Sequence, residues 1–155
     1  MSSTLRGAWL SRVMKRKDVG ARRHISSALP NPLPYHHPHA VVSGNLVFVS
    51  GLVAENRDGV RKGTHIDQDG TTVHDVSEQL KSIVAQLDTI LGELGMGIEN
   101  VVDATFFFKN IDQYFKDFNE TYGLLLGKVL PARTSIGVSA FPSNVCLEAK
   151  FVAMR

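Results

Sequence analysis

An α+β fold, with one sheet and two helices on a single face of it, is predicted by three features of the sequence. Two apolar, β-branched runs at 39–42 and 46–53 flank the turn residues Ser43-Gly44-Asn45, which reads as a β-hairpin. Eight apolar residues between 76 and 94 recur at helical spacing. The last strand, 145–153, puts Val145, Leu147, Ala149, Phe151 and Ala153 on one wholly apolar side. With 155 residues and 43% hydrophobic content, the chain suits one compact domain.

Residues 1–28 read as a leader rather than as part of the fold. Leu5, Trp9 and Val13 would form one apolar stripe of a helix, with Arg6, Arg12 and residues 15–17 around it. Arg-rich, Ser-containing and acid-poor composition is that of a mitochondrial transit peptide, and no apolar core of a secretory signal is present. A cut near residues 22–27 is expected, leaving a domain at 29–155 that Asn31-Pro32-Leu33-Pro34 introduces as a turn. The expected location is the mitochondrial matrix, with the cytoplasm as the alternative.

After the hairpin, residues 55–74 are polar, with turn signals at Asp58-Gly59 and Asp69-Gly70, and are expected as a loop or peripheral hairpin. The first helix starts at the cap Asp75, with Glu78 three residues on, and ends at Gly95. Residues 101–108 form a continuous β-favouring run. A second helix follows over 111–126, burying Tyr114, Phe115, Phe118, Tyr122 and Leu125. Two strands, 133–140 and 145–153, close the order β-β-α-β-α-β-β. Cys146, Glu148 and Lys150 should point away from the helices. Phe106, Phe108 or their neighbours should join them on a second face too apolar for open solvent, and such a face points to oligomerisation.

Charge is split along the chain. Residues 1–33 carry seven Arg/Lys against one acid, a net +6, whereas residues 34–155 carry ten bases against fourteen acids, a net −4. The acidic body argues against a nucleic-acid reader. One cysteine, Cys146, excludes an internal disulfide framework. No apolar run approaches the ~18–20 residues of a membrane span.

Arg133 and Glu148 stand out as candidates for chemistry. Arg133 is the one charge between Val129 and Val145, and its guanidinium needs an anionic partner. That partner is either Glu148, in a structural pair, or a substrate carboxylate held by a two-pronged clamp. Glu148 in turn either neutralises Arg133 or relays protons to a water. His36, His37 and His39 have no acid or cysteine within ten residues to complete a metal site, so they are expected to line a cleft or face solvent. Nothing near Cys146 would activate it as a nucleophile. Gly51, after Ser50, allows a close backbone approach.

Several segments together resemble the Rid family (reactive intermediate deaminases, or YjgF-like proteins). They are residues 39–41, 44–51, 75–79, 101–105, 118–122, Pro131-Ala132-Arg133-Thr134 and Leu147-Glu148-Ala149. The resemblance covers about residues 34–155. It implies a chorismate-mutase-like fold with a mixed sheet, a homotrimer, and sites in the clefts between subunits. It further implies cofactor-free hydrolysis of enamine or imine acids to oxo acids and ammonia. By that resemblance Arg133 holds the substrate carboxylate, Glu148 positions and protonates around the attacking water, and Ser50 and Asn119 line the cleft. Thr134 and Ser135, beside the arginine, join the substrate-binding set.

The family's common tyrosine falls at His37 here, and its frequent cysteine is Ser135. Residues 38–40, the long 55–74 loop and Arg133-Thr134 look like the 2-aminomuconate deaminase branch, whose substrate is a dicarboxylate enamine of tryptophan-derived catabolism. A second carboxylate would need a second donor from among His37, His39, Arg61 and Lys62. The alternatives are a broad 2-imino acid deaminase and a non-catalytic trimer that binds ligands or acts as a chaperone.

Overall fold

The computed structural model describes residues 20–56 and 58–155. Its main sheet has six strands: β1 (Ala21–His24), β2 (Ala40–Ser43), β3 (Leu46–Val53), β6 (Val101–Lys109), β7 (Ala132–Val138) and β8 (Leu147–Met154). They run in the order β1-β2-β3-β8-β6-β7. Among the described residues, β6 and β7 are the one parallel pair of this sheet and the other pairings are antiparallel, so the sheet is mixed as expected. Residues 55–74 include the small separate hairpin of β4 (Thr64–Ile66) and β5 (Thr72–His74).

Both helices form where the periodicity places them: α1 over Val76–Glu93 and α2 over Ile111–Leu126. Asp75 caps α1 by accepting a hydrogen bond from the Glu78 N–H at 2.9 Å. Gly95, at φ +72°, ends it, and the Met96 N–H turns back to the Leu91 carbonyl. Leu80, Ile83, Leu87, Ile90 and Leu91 of α1 are fully buried in one core with Phe118 and Leu126 of α2 and Phe106, Phe108 and Phe151 of the sheet. A hydrogen bond of 2.7 Å from Thr121 Oγ1 to Ser77 Oγ links the two helices.

Gln79 interrupts the apolar face of α1, and the fold uses it as a hub. Its buried amide donates to the Gly63 carbonyl and to Thr64 Oγ1, and its oxygen accepts the N–H groups of Cys146 and Leu147 at 3.0 and 3.2 Å. One side chain thus ties the β4–β5 hairpin to the start of β8. Replacing it by leucine strands two buried N–H donors at ~1–3 kcal/mol each. Gln79→Leu is therefore expected to lower the unfolding free energy by about 3 kcal/mol. Urea unfolding checks this, and a midpoint equal to that of the wild type contradicts it.

Two expectations need correction. Residues 21–28, assigned to the leader, belong to the fold: β1 pairs in register with β2, and Ser26 is buried. The rest of the leader, including its Leu5–Trp9–Val13 stripe, lies outside the described residues. Cys146 does not lie on the second sheet face. It is fully buried, precedes β8, and turns its N–H and thiol to Gln79. Desolvation pushes that thiol up to about 12, which keeps it protonated and inert. On the run 101–108, Phe106 and Phe108 face the helices. It is their neighbour Phe107 that shares the second face with Phe48, Glu148, Val152 and Ile136.

Candidate active site

Arg133 is placed by the parallel pairing of β7 with β6. It sits opposite Ala104, whose side chain is buried beneath the helices, so Arg133 points to the helix side of the sheet edge. There α2 provides its seat. The guanidinium lies 4.7 Å from the Tyr122 ring centre, and 5.8 and 5.9 Å from those of Phe118 and Phe115. Nη1 donates to Asn119 Oδ1 at 2.9 Å. Asn119 and Tyr122 are three residues apart on α2 and so share a face. The aromatic floor and the amide fix the fork in one orientation while the arginine remains exposed. Ser135, two residues along the same face, has a buried Oγ with no hydrogen-bond partner. Thr134 points the other way, beside Thr105.

Glu148 is on β8, opposite both Phe107 and Val53, and so on the second face of the sheet. Its carboxyl occupies the place where a Cβ on residue 51 would lie. The pairing of β3 with β8 slips between Val49 and Leu52, which brings Gly51 and the carboxyl together. Desolvation raises the carboxyl above the ordinary glutamate range, favouring its protonated form. Gly51→Ala is expected to displace the carboxyl without unfolding the protein, because the end of a flexible side chain is what must move. A melting curve checks this, and a midpoint far below that of the wild type contradicts it.

Gly51 also lines a cleft with Pro32, Tyr35, His37, Glu55 and Gln86. The His37 ring is exposed, with Nδ1 3.1 Å from the Pro38 carbonyl, which leaves Nε2 unengaged by that contact. Ser50 spends its hydroxyl on the same carbonyl at 2.7 Å and thereby holds the cleft wall. His39 reaches the cleft but is 6% exposed, and both its nitrogens are engaged. Nδ1 accepts the Ser26 N–H, and Nε2 donates to the Pro30 carbonyl. Burial lowers its pKa, and an Nδ1 that accepts the Ser26 N–H belongs to the neutral ring. His39 thus braces the wall rather than offering a donor to a ligand. Of the other candidate donors, Arg61 lies 3.9 Å from Glu55.

The expected choice for Arg133 therefore resolves against a pair with Glu148. The two project from opposite faces, with β6 between their strands. Arg133 groups with Asn119 and Ser135; Glu148 groups with Gly51, which shares a cleft with His37. The aromatic seat of Arg133 and the cleft residues Tyr35, Glu55 and Gln86 were not anticipated. Only the i, i+3 spacing of Asn119 and Tyr122 signals the seat in sequence. Among the described residues, no three His, Cys, Asp or Glu side chains gather to hold a metal ion.

A mixed sheet covered by two helices on one face defines the structural class of this α+β domain. Within that class, the chain belongs to the endoribonuclease L-PSP family, also called the Rid or YjgF-like family, whose sequence profile matches residues 26–155. A RutC family protein of Pyrococcus abyssi is 30% identical over 129 residues, which covers 81% of this chain and 91% of that protein. The Saccharomyces cerevisiae protein MMF1, mitochondrial, is 24% identical over 140 residues, covering 90% and 89%. In fold, the chain matches the crystal structure of a Rid family protein from Yersinia pestis. The TM-score is 0.72 at 22% identity, over 87% of this chain and 99% of that one.

Proposed function

We propose that the protein is a hydrolytic deaminase of enamine and imine acids, working as a homotrimer with its sites between subunits. The observation that carries this reading is the separation of Arg133 and Glu148 onto opposite faces of one sheet. A ligand can meet both only if Arg133 of one protomer faces Glu148 of another. The half-apolar second face, with Phe48 and Ile136 each about 40% exposed, supports such an assembly.

In this site the guanidinium of Arg133 takes the substrate carboxylate through its remaining N–H groups. Ser135 Oγ stands ready as a further hydrogen-bonding group on the same side. The imine tautomer of the substrate is already electrophilic at carbon. Water adds there, the nitrogen gains protons, the C–N bond breaks, and ammonia leaves an oxo acid. Glu148 supports this by positioning the water and moving its proton to the nitrogen. Positioned proton transfer contributes ~10²–10⁴-fold, and no nucleophilic residue is needed. Thr134 lies on the Glu148 side of the interface.

The favoured substrate is 2-aminomuconate or a similar dicarboxylate, with His37 as the donor to its second carboxylate; 2-aminoacrylate is the alternative. Ammonia release from both, freshly generated, tests the reading. Rates above those in buffer support it, and their ratio selects the substrate. Release no faster than in buffer from either overturns it and favours the non-catalytic ligand-binding reading. Ribonuclease action, suggested by the family's name, is disfavoured by the net −4 of residues 34–155. The basic leader and the likeness to a mitochondrial yeast protein support a mitochondrial location. Among the described residues, no helix is long and apolar enough to cross a membrane.

A further inference from the structure

We propose that the leader is removed N-terminal to Ala21, so that the mature protein keeps residues 21–28 as a working part of its fold. This rests on the mitochondrial reading of the leader, but its structural half stands alone. All four residues of β1 pair in register with β2, covering an edge that would otherwise expose unpaired backbone groups. The segment is then fastened at its C-terminal end. His24 Nε2 lies 2.7 Å from Glu93 Oε2, and Ser26 Oγ donates to Glu93 Oε1 at 2.8 Å. The Ser26 N–H donates to Nδ1 of the buried His39 at 2.9 Å, and the His39 N–H donates to the His24 carbonyl.

Glu93 explains why this fastening matters. It sits in the last turn of α1, where the helix dipole disfavours a negative charge. His24 and Ser26 are the groups that compensate it. A cut after Arg22 would remove half of β1, and a cut after Ser26 would remove the strand with both Glu93 contacts and leave the His39 nitrogen buried without its donor. That histidine braces the cleft, so such a cut would also loosen the candidate site. The basic run Lys15-Arg16-Lys17 lies upstream of β1, where cleavage leaves the whole strand in place.

Two measurements on the full chain test this. In the first, chain bearing a C-terminal tag is recovered from purified mitochondria and its N-terminus is sequenced. The expected first residue falls after Ser2 and no later than Ala21. A first residue between Arg22 and Leu29 overturns the proposal while leaving mitochondrial targeting intact. Uncut chain inside mitochondria also overturns it, and uncut chain in the cytosol overturns both. In the second, the purified full chain is digested briefly with trypsin. The stable fragment is expected to begin upstream of Ala21, at Lys17 or Asp18. Cleavage after Arg22 or Arg23 as fast as after Arg16 contradicts the structural half, whatever the destination of the chain.

Discussion

Arg133→Ala is expected to lower kcat/KM for a 2-imino acid by about 10²–10³-fold, because truncating one partner of a hydrogen-bonded charge pair costs ~2–5 kcal/mol. The guanidinium is oriented by Asn119 and by the Tyr122 ring before any ligand arrives, so little of its binding energy goes into ordering it. Arg133→Lys keeps the charge but loses the fork and the stacking, and should recover only part of the loss. The fold should survive both changes, since Arg133 is exposed and its ring contacts are worth only ~0.5–1 kcal/mol. Steady-state kinetics beside melting curves separate these effects. Near-normal kcat/KM in Arg133→Ala would remove the carboxylate clamp from the account.

Glu148→Gln is the second large effect, with an expected fall in kcat of about 10²–10⁴-fold if proton transfer runs through this carboxyl. Its burial also gives a sign for stability. Desolvation holds the folded carboxyl above its unfolded pKa, so between those two values the native state binds the extra proton. Stability is then fully present below the unfolded value and falls as pH rises through the folded one. Glutamine removes the charge that burial penalises, so Glu148→Gln should melt no lower than wild type at neutral pH, and the falling limb should flatten. In the wild type, a step that uses the protonated form slows as pH rises through the same raised value. A purely structural Glu148 would give the opposite pattern, with kcat retained and stability lost.

What could be read from sequence follows the reach of each signal. The helix α1 is announced locally by its stripe, by Asp75 and by Gly95, and it forms where those residues say. The strand β1 is hidden because its basic, acid-poor residues match a leader, while its partners β2, Glu93 and His39 lie far along the chain. Extending the alternation of β8 back to Cys146 failed because the strand begins only at Leu147. The run 101–108 is apolar enough to leave its faces ambiguous, although Asp103 and Thr105 share their parity with Phe107 and mark the outer side. For the site, Arg133 and Glu148 are legible as isolated charges in uncharged stretches. Their placement on opposite faces is not, because it depends on the order β8-β6-β7.

That separation makes the central claim open to one direct measurement, the activity of mixed oligomers of Arg133→Ala and Glu148→Gln. Each variant alone lacks one half of every site. When the two are co-expressed in equal amounts, a site between neighbouring protomers is intact whenever an unmodified arginine meets an unmodified glutamate. For random mixing in a closed ring this holds for about one site in four, so ammonia release should return to about a quarter of the wild-type rate. A mixture no more active than the two variants measured separately would contradict a site shared between subunits.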